Sequence, residues 1–190
     1  MEKKKITIIG AGMMGSALAF PAAENGHEVH IVGTCLDDKI IDGYLATGKH
    51  EKFCRPFPEN VNYHYFKDWK TVVEGSDFVI GGVSSFGVDW FLEEILIQLD
   101  PEMPVLSVTK GLRATDDGSL LSYPGYWMSE LAKRGIHRDI CAVGGPCTSY
   151  ELVFKDPTEV AFCGWDNEVL RMMKQAMQRP YYHISLTNDV

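Results

Sequence analysis

Short β-branched runs alternate along this chain with longer stretches rich in Ala, Leu and Met. The run KITII at Lys5–Ile9 stops at Gly10 and reads as a buried strand. Residues 13–25 then read as a helix that Gly26 ends, because Gly adopts the left-handed stop conformation at little cost. Residues 28–32 return to a strand, so the opening is a βαβ unit. The same reading gives a short helix at 38–47 and a loop at 54–60, where Pro56 and Pro58 stand. A strand at 61–66, a short helix at 69–74 and a strongly apolar strand at 77–83 follow. Residues 88–99 read as a helix that turns Trp90, Phe91, Ile95 and Leu96 inward. Strands are expected at 105–108, 140–143, 159–163 and 181–185. Helices are expected at 120–133, disturbed at its start by Pro124 and Gly125, and at 167–177. Pro21, inside the first helix, removes one hydrogen bond and costs roughly 3 kcal/mol unless a kink absorbs it.

Strands alternating with helices predict an α/β fold: a Rossmann-like, doubly wound, mostly parallel sheet with helices on both faces. Residues 1–190 are read as one dinucleotide-binding domain. The chain carries 18 Lys and Arg against 26 Asp and Glu, a net charge of −8, which argues against a nucleic-acid partner. Five cysteines, none spaced C-x-x-C, argue for reduced thiols in a cytoplasmic setting and against a zinc site, and no metal is expected. No strongly apolar run of membrane-spanning length occurs, so no membrane partner is expected. The lysines at 3–5 followed by an apolar run look like a secretory signal. Against that stand Pro21, the spaced glycines within the run, and its direct passage into the second strand.

Gly10-Ala11-Gly12-Met13-Met14-Gly15 is a G-x-G-x-x-G turn that follows a strand and opens a helix, the context that gives the motif meaning. Gly10 permits the turn, Gly12 admits a pyrophosphate to the backbone, and Gly15 lets helix and sheet pack closely. No Asp or Glu ends the second strand, where Thr34 stands instead. Asp37 and Asp38 lie further on, either within reach of a ribose or as the cap of the next helix. The choice between NAD and NADP is open at this point. Three further loops are expected at the same sheet edge. Ser84-Ser85-Phe86 would lie over a cofactor, with Ser as a helix cap as the plainer role. Lys110 would point into the crevice to hold a phosphate or polarise a carbonyl. Gly144-Gly145-Pro146-Cys147-Thr148-Ser149 offers backbone N–H groups, with the Cys147 thiol acidified by a helix start or merely filling a turn.

On GAGMMGSALA at 10–19, NGHEV at 25–29, VTKGL at 108–112 and GGPCTSYE at 144–151, the chain resembles the N-terminal domain of NAD(P)-dependent glycerol-3-phosphate dehydrogenases over nearly its whole length. The resemblance implies an oxidoreductase of glycerophospholipid metabolism. It would move a hydride between nicotinamide and dihydroxyacetone phosphate or glycerol 3-phosphate, a small phosphorylated substrate. It implies cofactor contacts at Gly10, Gly12, Met13, Met14, Gly15, Thr34, Phe86 (on the nicotinamide side), Lys110 and Ser149. Substrate contacts would fall at Lys110, Gly145 and Cys147, with Lys110 catalytic, and a homodimer is compatible with it.

Departures from the family pattern stand at Met13, Met14 and Cys147, where the family usually has Ser, an aromatic and Ser. Members that accept NADP often carry Arg where Thr34 stands. The resemblance also implies a helical substrate domain with the proton-transferring lysine beyond this chain, so these residues alone are expected to be nearly inactive. Two other readings stay open: a non-catalytic dinucleotide-binding module, and a dehydrogenase of another phosphorylated or carboxylated alcohol.

Overall fold

The alternating apolar runs build one twisted sheet in a computed structural model that describes residues 2–115 and 118–189. Among these residues the strands are β1 (Lys5–Ile9), β2 (Glu28–Val32), β3 (Val61–His64), β4 (Phe78–Gly81), β5 (Val105–Ser107), β6 (Leu112–Ala114), β7 (Leu120–Ser122), β8 (Ile140–Gly144), β9 (Thr158–Cys163) and β10 (Tyr182–Thr187). Eight of them lie in the order β10-β9-β8-β5-β4-β1-β2-β3, and β6 pairs with β7 in a separate hairpin. Neighbours in the large sheet are parallel except β8 and β9. The helices are α1 (Met13–Glu24), α2 (Asp38–Thr47), α3 (Trp69–Val73), α4 (Val88–Phe91), α5 (Tyr123–Ala132), α6 (Ser149–Phe154) and α7 (Asn167–Met177). A π-helical turn at Leu92–Leu96 prolongs α4.

Period-two alternation divides the strand residues between two cores. Ile6, Ile8, Phe78 and Ile80 face one layer together with Leu170, Met173 and Met177 of α7. Ile9 and Val79 face the other, with Phe91, Ile95 and Leu96 from the α4 segment and Trp127 and Leu131 from α5. Trp127 is fully buried and its indole N–H donates to the Val88 carbonyl at 2.9 Å, so its polar edge is satisfied. The one polar side chain buried within β1, Thr7, is paired with Ser76 at 2.8 Å.

Helix α1 is buried continuously from Gly15 to Ala23, because α6 and α7 cover the side turned from the sheet. That is why its sequence is apolar all round rather than striped. The helix runs through Pro21 to Glu24, and the Asn25 N–H closes on the Pro21 carbonyl at 3.2 Å.

The helix expected over 120–133 is two elements. Leu120–Ser122 pairs with Leu112–Ala114 as an antiparallel hairpin, and the helix starts only at Tyr123. Pro124 then stands in the first turn, where its missing N–H costs nothing, and Ser122 caps the helix through the Gly125 N–H. Helix α6 was not expected, and β3, β4 and β5 are shorter than the apolar runs that mark them.

Candidate functional site

Strand register places Val32, Ile9, Gly81, Ser107 and Ala142 in one row across the sheet. These strands are parallel, so the loops that leave the row emerge side by side at one edge, where open α/β sheets bind ligands.

At the centre of that edge three glycines meet backbone to backbone. Gly10 has φ +113°, and a Cβ there would lie 2.7 Å from the Gly82 carbonyl oxygen. A Cβ on Gly15 would lie 2.2 Å from the Gly10 oxygen, and one on Gly82 2.9 Å from the Gly15 Cα. Gly12 is different: a Cβ there would meet nothing within 4 Å. It precedes α1 in extended conformation, no side chain caps the helix, and no acidic residue stands in its first turn. Such a helix start turns N–H groups and positive dipole to the outside, and the open space over Gly12 is what a phosphate cradle needs.

The turn is clamped by side chains. The Ala11 carbonyl accepts from the Tyr44 hydroxyl at 2.9 Å and the Ser16 hydroxyl at 3.0 Å, and the two hydroxyls are 2.6 Å apart. Burial pushes the Tyr44 phenol far above its ordinary range, so it stays a donor. On the other side, Asp37 Oδ2 accepts the Ala11 N–H at 3.2 Å and the Thr34 N–H at 2.8 Å. Asp37 stands at the N-cap position of α2, yet its side chain makes no cap bond to that helix.

A cleft of about 320 Å³ opens between the glycine turn, the 34–37 loop and the β4–α4 loop, and Trp90 forms part of its wall. An adjoining hollow of about 310 Å³ is bordered by Met14, Ser85, Thr109 and Lys110, with Val83 and Ser84 shared between the two. Gly10, Gly12, Thr34 and Phe86 thus gather at the first hollow and Met14 and Lys110 at the second. Phe86, 98% exposed, borders the first hollow together with Thr34 and Asp37. Met13 is half-buried against the core. Ser84 begins a 3-10 turn without a side-chain cap bond.

The TKGL residues tie three strand ends together. Thr109 donates to the Val83 carbonyl at 2.7 Å, and Lys110 Nζ donates to the Gly145 carbonyl. Gly111, at φ +142°, leaves room for the Tyr123 ring, which a Cβ would meet at 2.6 Å. Beyond Gly145, at φ +121°, the GPCTSYE run mostly builds α6. Thr148 and Glu151 form a capping box, and Cys147 and Ser149 are buried behind the loop. Of the two roles open for Cys147, the structure shows the plainer one, a small buried residue filling the turn, and burial pushes its thiol up. The cause is position, since Thr148 rather than Cys147 caps α6 and the sulfur faces the core. Tyr44, Ser16, Gly82 and Trp90 belong to the site without an expected role there, although Ser16 lies within the GAGMMGSALA run and Gly82 within the loop that ends the fourth strand. Only the hydroxyls inside an apolar helix pattern hint at the first two.

A larger hollow, about 580 Å³, lies at the opposite edge around Arg138, where β5 and β8 begin. Arg138 there donates to the Leu99 carbonyl at 3.2 Å and to the Asp100 carbonyl, which completes the end of the α4 segment. Among the described residues no three His, Cys, Asp or Glu side chains gather to hold a metal ion, and no helix is long and apolar enough to cross a membrane.

Residues 5–170 match the family described as NAD-dependent glycerol-3-phosphate dehydrogenase N-terminus. The chain is 29% identical over 185 residues to an NADP(+)-dependent glycerol-3-phosphate dehydrogenase of Archaeoglobus fulgidus, covering 97% of this chain and 54% of that one. It is 25% identical over 186 residues to a glycerol-3-phosphate dehydrogenase [NAD(P)+] of Clostridium botulinum, covering 98% and 53%. The fold superposes on the crystal structure of glycerol-3-phosphate dehydrogenase from Coxiella burnetii with a TM-score of 0.83 at 21% identity, covering 99% of this chain and 55% of that one. The chain spans about half the length of the curated relatives it matches.

Proposed function

This chain belongs to the NAD-dependent glycerol-3-phosphate dehydrogenase N-terminus family, and from that premise we propose that it is the dinucleotide-binding part of an NAD(P)-linked oxidoreductase of glycerol 3-phosphate and dihydroxyacetone phosphate. The observation that carries the reading is the packed trio Gly10, Gly15 and Gly82 beside an unobstructed Gly12 at an uncapped helix start. That arrangement spends three side chains to bring backbone N–H groups to a surface, which suits a pyrophosphate.

When bound, the nicotinamide cofactor supplies the hydride chemistry. In this reading Gly12, Met13 and Met14 present backbone N–H groups to its phosphates, while Thr34, Phe86 and Trp90 border the cleft that takes its adenosine half. Lys110, fixed between the β5 and β8 loops by Gly145, faces the second hollow with a cation on a short tether. There it holds positive charge near the substrate oxygen, on which negative charge develops during carbonyl reduction. Gly145 lets the loop approach closely. Cys147 and Ser149 act through the shape of the loop, since both are buried. The glycerol-phosphate pocket and the proton donor fall to the other half of proteins of this family.

Titration with NADH, followed by the fluorescence of the four tryptophans, tests the reading. Saturable quenching is expected, and no saturation would reject the glycine turn as a dinucleotide site. Oxidation of NADH by dihydroxyacetone phosphate at an ordinary enzyme rate, on these 190 residues alone, would refute the division of labour between the two halves.

A further inference from the structure

The motif reading finds no acidic residue at the end of β2, where a dinucleotide fold without 2′-phosphate specificity is expected to carry one. The structure supplies the missing carboxylate by another route. After Gly33 the chain closes a tight turn, in which the Asp37 N–H donates to the Thr34 carbonyl at 3.0 Å and the Asp37 carboxylate accepts the Thr34 N–H at 2.8 Å. The turn folds the carboxylate back against the glycine loop, 3.2 Å from the Ala11 N–H. Capping does not account for it, because the side chain makes no bond to the first turn of α2. Both backbone bonds fall on Oδ2, and a carboxylate has acceptor capacity on its other oxygen as well.

The charge around the cleft points the same way. Among the described residues that line it there is no lysine or arginine, and Asp37 is the one charged side chain.

We propose that Asp37 is the carboxylate that accepts a ribose hydroxyl of the adenosine half, and that this cleft therefore selects the dinucleotide lacking a 2′-phosphate. The inference rests on the dinucleotide reading above. A dianionic phosphate about 6 Å from one carboxylate in water is disfavoured by about tenfold in binding, which sets the size of the expected preference.

The test is calorimetric titration of the chain with NADH and with NADPH, for the parent and for Asp37→Asn. The amide keeps an oxygen that can accept the Ala11 and Thr34 N–H groups and removes the charge. We expect NADH to bind the parent about tenfold tighter than NADPH, and the ratio to fall within about threefold in Asp37→Asn at an unchanged melting temperature. Equal or tighter binding of NADPH by the parent would overturn the proposal, as would an unaltered ratio in a folded Asp37→Asn. Thr34→Arg provides a second variant should the first not fold. It places a cation in the same cleft and is expected to tighten NADPH by at least about tenfold; no gain would overturn the placing of the ribose there. Binding of neither dinucleotide to the parent would strike the dinucleotide reading and this inference with it. Binding of both without preference would strike this inference alone.

Discussion

Alanine at Gly12 and alanine at Gly15 separate ligand binding from folding. A methyl group on Gly15 would sit 2.2 Å from the Gly10 carbonyl oxygen, so α1 and the β1 turn must move apart by about an ångström. Backbone displaced in a packed core costs about 1–3 kcal/mol and occasionally more, and a contact this short belongs at the upper end. For a chain of this size about 3 kcal/mol lowers Tm by roughly 6–12 °C. A methyl group on Gly12 meets nothing within 4 Å, and φ −66° with ψ 175° suits alanine. The lost chain entropy of glycine and the poorer N-cap offset one another, so Gly12→Ala is expected within about 1 kcal/mol of the parent. Its methyl occupies the space a pyrophosphate needs, so NADH affinity should fall by at least about tenfold. Thermal melts and NADH titrations of both variants form the assay. A Gly12→Ala protein that binds NADH like the parent, or a Gly15→Ala protein that melts with it, would refute the reasoning.

Other consequences follow from the clamp, the histidines and the thiols. Tyr44→Phe keeps the ring among Phe57, Tyr63 and His50 but removes a donor from the Ala11 carbonyl, which retains Ser16. Urea unfolding should show a loss of about 1–2 kcal/mol, and no loss would mean that the clamp contributes nothing. Burial holds His27, His50 and His64 below their usual value of 6.5, and His30, whose Nδ1 is 2.9 Å from His64 Nε2, lowers His64 further. The unfolded chain therefore binds more protons than the folded one below about pH 6.5. The stability these groups contribute is full above that value and is lost as pH falls through it towards the lowered folded values. A urea midpoint that stays constant between pH 7.5 and about 5 would contradict this. Cys35 and Cys54 are exposed, whereas burial pushes the Cys141 thiol up to about 12 and raises Cys147 and Cys163. A thiol reagent at neutral pH should modify Cys35 and Cys54 first, as peptide mapping would show, and early modification of Cys141 would count against the packing.

Much of this architecture was legible from strong local signals. The β-branched runs at 5–9, 28–32 and 77–83 and the glycine turn between strand and helix mark the sheet edge at which the glycine loop lies. The hairpin was hidden because Leu112–Ala114 and Leu120–Ser122 are three residues each and carry exposed leucines, so neither shows an alternating pattern. Helix α6 was hidden for the opposite reason: its six residues follow a glycine-rich run that reads as loop until the Thr148–Glu151 capping box is noticed. For Asp37 the sequence leaves two roles open, ribose reach or helix cap; the turn that carries it against the Ala11 N–H, with no side-chain bond to α2, is visible only in three dimensions. For Cys147 the turn-filling alternative holds, because Thr148, one residue on, caps α6 and leaves the Cys147 side chain in the core.

The central claim is that the carboxyl edge around Gly12, not the larger hollow around Arg138, receives a dinucleotide. Backbone amide shifts of the nitrogen-15-labelled chain, recorded during an NADH titration, address it residue by residue. The account predicts the largest saturating shifts at Gly12–Gly15, Thr34–Asp37 and Gly82–Phe86, with Met103 and Arg138–Cys141 unmoved. Shifts centred on Arg138, or no saturating shift at Gly12, would contradict it.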